Sequence, residues 1–443
     1  MADNTTGFSS SFIFGTATSG DQSMGVAMGS DWSIREKSGQ NPPSGKGNDK
    51  INRFDEDFLR LAELGLNHYR TSLDWTRIEP EKGMYDRQAV EDVRIMLDSA
   101  KRRGITVWLT LHHVNQPHWF SRMGGFTDSK AFSYWHKFVE MIARELGKDA
   151  PYWIPVHEPT TYAAGAFLVG QYTPGKKRLD KFSEMMVKVH EAHGDAYRIL
   201  KAYLPSSAKV GVVAEIAPFH PLDVEANTDV TAADFFNRHI NLTTITAIKD
   251  GMVSMPGHKA IEIPSCKGAA DFFGIDYFQR LVTGVGAPVK ESFYTGLADL
   301  EGMPPVTARM EDDPLAENGV GACPEGIGEA IKTVYSQGLE LPIYITGSGI
   351  ATSDEDLRKW YVTRCLQETA DLANRGLNVK GYMHWTDVDT YDWTNGYNAH
   401  YGLFGFDRQT YDRIERPAAE LLSRVAKTSE IPELEPETSE TGT

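Results

Sequence analysis

Short runs of apolar and β-branched residues alternate with longer stretches in which apolar positions recur every three or four residues. The alternation persists over most of the chain. Ser11 to Ala17 predicts a first strand. Phe54, Phe58 and Leu61 then share one helical face, with Gly65 as the stop. A strand follows around 67–72, and Val90, Val93, Leu97 and Ala100 mark a second helix. That helix ends in Lys101, Arg102, Arg103 and Gly104, the cations and glycine that suit a helix C-terminus. The near-continuous apolarity of Ile105 to Leu111 predicts a buried strand. A helix over about 129–146 leads to a strand at 152–157, and a helix over about 184–203 to a fifth strand at 209–214. Further strands are predicted at 271–277, 342–346 and 379–385. Eight strands separated by helices is the count of a single (β/α)8 TIM barrel of the α/β class.

A doubly wound sheet is the competing architecture. It carries a glycine-rich turn after its first strand, and the stretch from Gly20 to Gly25 does not fit that fingerprint. The barrel is the better reading. Two stretches, 223–264 and 284–325, are long, irregular and rich in Gly, Pro and acidic residues, and are expected to be βα loops over the catalytic face. The expected organisation is an N-terminal arm (1–10), a barrel (11–428) and an acidic, disordered tail (429–443). Glu430, Glu433, Glu435, Glu437 and Glu440 of the tail have no basic residue among them.

Charge narrows the partners. With 45 basic and 61 acidic residues the formal net charge is −16, which argues against nucleic acid and anionic membranes. No apolar run approaches the roughly 18 residues of a membrane span, and the first residues do not read as a signal peptide. Cys266, Cys323 and Cys365 are few and far apart, which fits a reducing compartment and a cytoplasmic protein. The 11 % of aromatic residues serve a core, stacking platforms for sugar rings, or both.

In such a barrel, chemistry belongs to the C-terminal ends of strands. Those positions hold Arg70, His112 and His113, His157 with Glu158, Asp276 with Phe278, Gly347 and Trp385, followed by Asp392 and Trp393. Any one of them is more simply a satisfied core residue. The set at one end of the barrel is not, and a carboxylate among polar and aromatic groups suggests acid/base work on a sugar. A metal cluster of His112, His113 and His118 is a weak alternative, because adjacent residues on a strand point to opposite faces. No metal and no cofactor is expected.

At these residues the sequence resembles glycoside hydrolase family 1, the retaining β-glycosidases, from about Phe12 to Ser423. The stretch Phe14 to Gln22 is similar to the family's opening, which implies that Gln22 binds the sugar's outer hydroxyls. Tyr69 to Ile78 resembles the second-strand motif, placing Arg70 near the nucleophile. Leu111 to Pro117 resembles the third-strand motif, placing His113 as a sugar ligand. Trp385 to Tyr397 resembles the C-terminal signature, with Trp385 under the ring and Trp393 beside it. His157-Glu158-Pro159 is similar to the family's Asn-Glu-Pro, which implies that Glu158 is the acid/base.

The family's nucleophile is absent from its place. The pattern Thr-Glu-Asn-Gly stands here as Thr346-Gly347-Ser348-Gly349. Two readings of Gly347 follow from the resemblance. In one, a nucleophilic Glu has been replaced to make a glycosynthase, whose vacated space admits an α-glycosyl fluoride while Glu158 activates an acceptor. In the other, the barrel is a non-catalytic sugar binder. The surviving acid/base and sugar motifs favour the first. An inverting hydrolase with Asp276 as distant base is a third reading, and the family's geometry counts against it.

Other departures bear on the sugar. His157 stands for the Asn that binds the 2-hydroxyl. Asp276 and Phe278 stand for the Asn and second Tyr of Asn-Tyr-Tyr. Asp392 stands for the Glu that grips the 4- and 6-hydroxyls. Glucose, galactose and fucose all remain open, and no Ser/Lys pattern suggests a 6-phosphate. The expected partner is a carbohydrate substrate or glycoside acceptor; no oligomeric state follows from the pattern.

Overall fold

In the computed structural model, which describes residues 7–287, 303–310 and 312–433, the alternation closes into a barrel. Its strands are β1 (Ile13–Ala17), β2 (His68–Ser72), β3 (Thr106–His112), β4 (Tyr152–Val156), β5 (Lys209–Val210), β6 (Val212–Glu215), β7 (Phe273–Tyr277), β8 (Ile343–Ser348) and β9 (Val379–Trp385). They form one nine-stranded sheet in the order β5-β4-β3-β2-β1-β9-β8-β7-β6. β5 and β6 are the two halves of the expected fifth strand, interrupted at Gly211. A side chain there would begin 2.5 Å from the Phe272 ring, so the close approach requires glycine. The Gly211 amide donates to the Trp153 carbonyl at 2.9 Å and His157 bridges Val213, which joins the two sheet edges.

The apolar runs read as strands because both of their faces are buried. Trp108, Ile154, Val213 and Met383 point into the barrel, while Leu109, Leu111, Val212 and Ile343 pack outward under the helices. Trp108 stacks on Tyr152 at 4.0 Å and meets Phe272 and Tyr344 edge-on, filling the interior with rings. Its indole N–H donates to His68 Nδ1 at 2.9 Å, and burial pushes the His68 imidazole down to about 4. A filled interior leaves only the rim for chemistry.

The helices form where their stripes and caps coincide. In Ser129–Leu146, Phe132, Trp135, Phe138, Val139 and Ile142 face the barrel, and the Asp128 carboxylate accepts from the Lys130 and Ala131 amides. Lys50–Leu64 ends at Gly65 in the left-handed region, φ 79°.

The segment 223–264 is not irregular as expected. It carries helices Asn227–Phe236 and Leu242–Asp250, whose Thr- and Asn-rich faces blur the apolar period. In 284–325, residues 288–302 and 311 lie outside the described residues; of the rest, Val306–Thr307 pairs with Leu281–Thr283. The tail from 434 onward also lies outside them. Glu430 bridges Gly7, and Phe8 donates its amide to the Ser429 carbonyl at 2.8 Å, so the arm meets the start of the tail. No helix among the described residues is long and apolar enough to cross a membrane.

Candidate active site

Glu158 follows β4 in the left-handed region, φ 44°, directly before helix Pro159–Ala164. A non-glycine residue held there is strained, and such strain persists where the surroundings impose it. The Glu158 amide donates to the Val213 carbonyl at 2.9 Å, and Pro159 starts the helix with its fixed φ. The turn aims the carboxyl at the barrel mouth, where it keeps 14 % exposure.

Two strands away lies the second carboxylate. A register shift between Ile275 and Asp276 skips Thr346 and sets Asp276 of β7 directly beside Gly347 of β8. Such a bulge re-aims side chains. Asp276 is 1 % exposed, and three donors hold it. Arg70 Nη2 donates to Oδ2 at 2.9 Å, His157 Nε2 lies 3.0 Å from the same oxygen, and the Thr346 hydroxyl donates to Oδ1 at 2.6 Å. Arg70 is fully buried and also donates from Nε to the Thr346 carbonyl at 2.9 Å.

A Cβ added at Gly347 would lie 3.0 Å from Arg70 Nη2 and 3.0 Å from both Cγ and Oδ2 of Asp276. The neighbouring strand's carboxylate and its cation crowd the first atom of any side chain there. Arg70, which the resemblance places near the nucleophile, is bound to Asp276.

The two carboxyls are pushed apart electrostatically. Burial raises the Glu158 carboxyl well above its ordinary value, and the negative charges of Glu215 and Asp276 add to this. Burial is the largest influence on Asp276 and pushes its carboxyl up, but the Arg70 cation, His157 and the Thr346 hydrogen bond together outweigh it and hold Asp276 below the usual range. His157 is pushed down to about 4 by burial and by Arg70, so at neutral pH its uncharged ring donates Nε2–H to Asp276. One carboxyl pushed up beside another held down is the division of labour that glycoside cleavage needs.

A cavity of about 200 Å³ opens above the pair. Gln22, His113, His157, Glu158, Asp276, Phe278, Trp385, Asp392 and Trp393 all line it, so the structure gathers these sequence candidates at one place. Arg70 and Gly347 sit behind Asp276. Trp385 lies over Arg70, its ring centroid 5.5 Å from the guanidinium carbon, and His113 is parallel to it at 6.4 Å. The Trp393 indole nitrogen and His113 Nδ1 are buried with no hydrogen-bond partner in the protein, which suits them to ligand hydroxyls. Gln22 is less free: it donates to the Tyr391 carbonyl at 2.6 Å and accepts from Ser19 at 2.7 Å. Asp392 commits Oδ1 to the Thr394 and Asn395 amides, and burial raises its carboxyl.

Sequence reasoning missed Glu215, Gln279, Tyr172, Asn318 and Tyr401 in the lining. Glu215 was within reach, since it ends the fifth strand one residue past the expected boundary. The others come from loops, where no period marks them. His112 and His113 do part as expected: His112 turns outward to Gln116, Phe126 and Tyr162. The atoms of His157, Glu158 and Asp276 lie within 4.8 Å of one another and include enough donors for a cation. The Arg70 guanidinium already occupies that corner with positive charge, which disfavours one.

The profile of glycosyl hydrolase family 1 matches residues 4–431. A β-galactosidase of Pyrococcus woesei is 25 % identical over 92 % of this chain and 94 % of its own. A 6-phospho-β-galactosidase of Staphylococcus haemolyticus is 26 % identical over 95 % of this chain and 98 % of its own. Among solved structures, a β-glycosidase from Pyrococcus horikoshii superposes with a TM-score of 0.87 at 29 % identity, covering 97 % of each chain. A family 1 β-glucosidase from Thermotoga maritima, in complex with isofagomine lactam, gives 0.85 at 23 % identity over 97 % of this chain and 100 % of that one, a likeness of fold.

Proposed function

This chain belongs to glycosyl hydrolase family 1, and from that premise we propose that it hydrolyses terminal β-linked sugars with Glu158 as acid/base. One observation carries the reading: at the cavity wall an oxygen of the Glu158 carboxyl lies within 4.8 Å of one from the Asp276 carboxyl, the first pushed up by burial and the second held down by Arg70, His157 and Thr346. Trp385 forms the floor for the ring, and Gln22, His113, His157, Asp392 and Trp393 surround the hydroxyls. No Lys or Arg is among the described residues lining the cavity, while Glu158, Glu215, Asp276 and Asp392 are. That charge favours an uncharged sugar over a 6-phosphate. The buried free thiols of Cys266, Cys323 and Cys365 support the cytoplasmic placement. A panel of nitrophenyl β-glycosides, with and without a 6-phosphate, tests the reading. Turnover of an unphosphorylated glycoside supports it, and sugar binding without turnover of any would identify a non-catalytic binder instead.

The glycosynthase reading asks for open space at residue 347, and Asp276 and Arg70 crowd the β-carbon position there. Gly347→Glu discriminates between the two. With Asp276 present, the added carboxylate crowds it and competes for Arg70, so stability should fall by about 1–3 kcal/mol with no gain in turnover. Thermal unfolding and aryl glycoside kinetics check this. A rise of several orders of magnitude in turnover would instead mark Gly347 as a truncated nucleophile position.

A further inference from the structure

We propose that Asp276, delivered from β7 into the space beside Gly347 of β8, is the nucleophile that takes the sugar as a covalent ester; this rests on the glycosidase reading above. The bulge at Ile275–Asp276 and the missing side chain at Gly347 act together. One sets Asp276 opposite residue 347, and the other leaves room for its carboxylate. Any β-carbon at 347 would begin 3.0 Å from the Asp276 carboxyl carbon, so the carboxylate from β7 lies directly against the base of any side chain from β8.

The surroundings are those a nucleophilic carboxylate requires. Arg70, His157 and Thr346 all donate to it, which fixes its orientation and keeps it ionised. Each carboxylate oxygen has more than one acceptor site, so these bonds do not exhaust Asp276. Its distance from Glu158 decides the mode. An oxygen of each carboxyl lies within 4.8 Å of one from the other, a close approach that suits the roughly 5–5.5 Å carboxyl spacing of a double displacement better than the roughly 6.5–9.5 Å that admits a water between them.

In the first step an Asp276 oxygen attacks the anomeric carbon from the face opposite the aglycone. The carbon–oxygen bond to the aglycone breaks, its electron pair stays on the glycosidic oxygen, and that oxygen takes the Glu158 proton and leaves as an alcohol. In the second step water attacks the anomeric carbon of the α-linked ester and gives a proton to Glu158. The ester bond breaks, and its electron pair returns to Asp276. The sum is glycoside plus water to sugar plus alcohol, with configuration retained.

The test uses the unmodified chain with dinitrophenyl β-glucoside and β-galactoside carrying fluorine at C2, which slows the second step. One fluoroglycosyl residue should add to the protein mass, and peptide mapping should place it on Asp276. Asp276→Gly should lower turnover by about 10³-fold or more, and azide should restore it with an α-glycosyl azide as product. A label on Glu158 or Glu215 overturns the assignment. So does turnover of the unfluorinated glycosides with an α-configured sugar and no labelled protein, which would make Asp276 a base toward water. A chain that turns over no aryl β-glycoside at all overturns the glycosidase reading itself, and this one with it.

Discussion

Glu158→Gln should hydrolyse alkyl β-glycosides about 10²–10⁴-fold more slowly than the unaltered chain, the range typical of lost general acid help. Gln keeps the shape of the side chain and removes only its proton. The loss should shrink for dinitrophenyl glycosides, whose leaving group needs no protonation. The pH profile separates this from a structural defect. Asp276 must be ionised, so activity falls as pH drops through its lowered value. Glu158 must be protonated, so activity falls as pH rises through its raised one. Removing the Glu158 carboxyl should abolish the alkaline limb and leave the acid limb in place. Equal rates on alkyl glycosides, or an unchanged alkaline limb, would take the acid role away from Glu158.

Lys50→Met should cost about 3–5 kcal/mol of stability, the usual consequence of breaking a buried ion pair from one side. Lys50 starts helix Lys50–Leu64 and is almost fully enclosed. Its ammonium pairs with Asp57 at 3.0 Å and with Asp387, while Arg413 grips both oxygens of Asp57 at 2.8 Å. Burial alone would depress the ammonium, but Asp387 and Asp57 hold it well above its ordinary value. Taking it away leaves two acids facing one cation. Asp387 lies two residues past Trp385, on the way to Asp392 and Trp393, so the network anchors the loop that lines the cavity. Urea unfolding of the two proteins checks the figure, and a loss below about 1 kcal/mol would show that the cluster relaxes without Lys50.

The barrel was legible because parallel strands buried on both faces carry near-continuous apolar runs, as in Ile105 to Leu111. Helices with wide stripes and clear caps, such as Ser129–Leu146, were legible to the residue. Helices Asn227–Phe236 and Leu242–Asp250 were not, since their buried faces are small and interrupted by Thr and Asn. Strand ends exposed Glu158, Asp276 and Gly347 one by one. What sequence could not show is that Asp276 and Gly347 are neighbours, because a one-residue bulge between two strands some seventy positions apart sets that register. Read along the chain, Gly347 is a loss and Asp276 an ordinary polar substitution. In space they are one arrangement, with His157 and Thr346 bonded to the same carboxylate.

The most direct measurement is the anomeric configuration of the first sugar released. Proton NMR of the opening minutes of hydrolysis, before mutarotation, distinguishes the anomers of a reducing sugar cut from an aryl β-glycoside. A pair of carboxyls this close, one pushed up and one held down, predicts the β-anomer. An α-configured first product would contradict it, because a single displacement by water needs a wide gap between the two carboxyls, whereas oxygens of Glu158 and Asp276 approach within 4.8 Å.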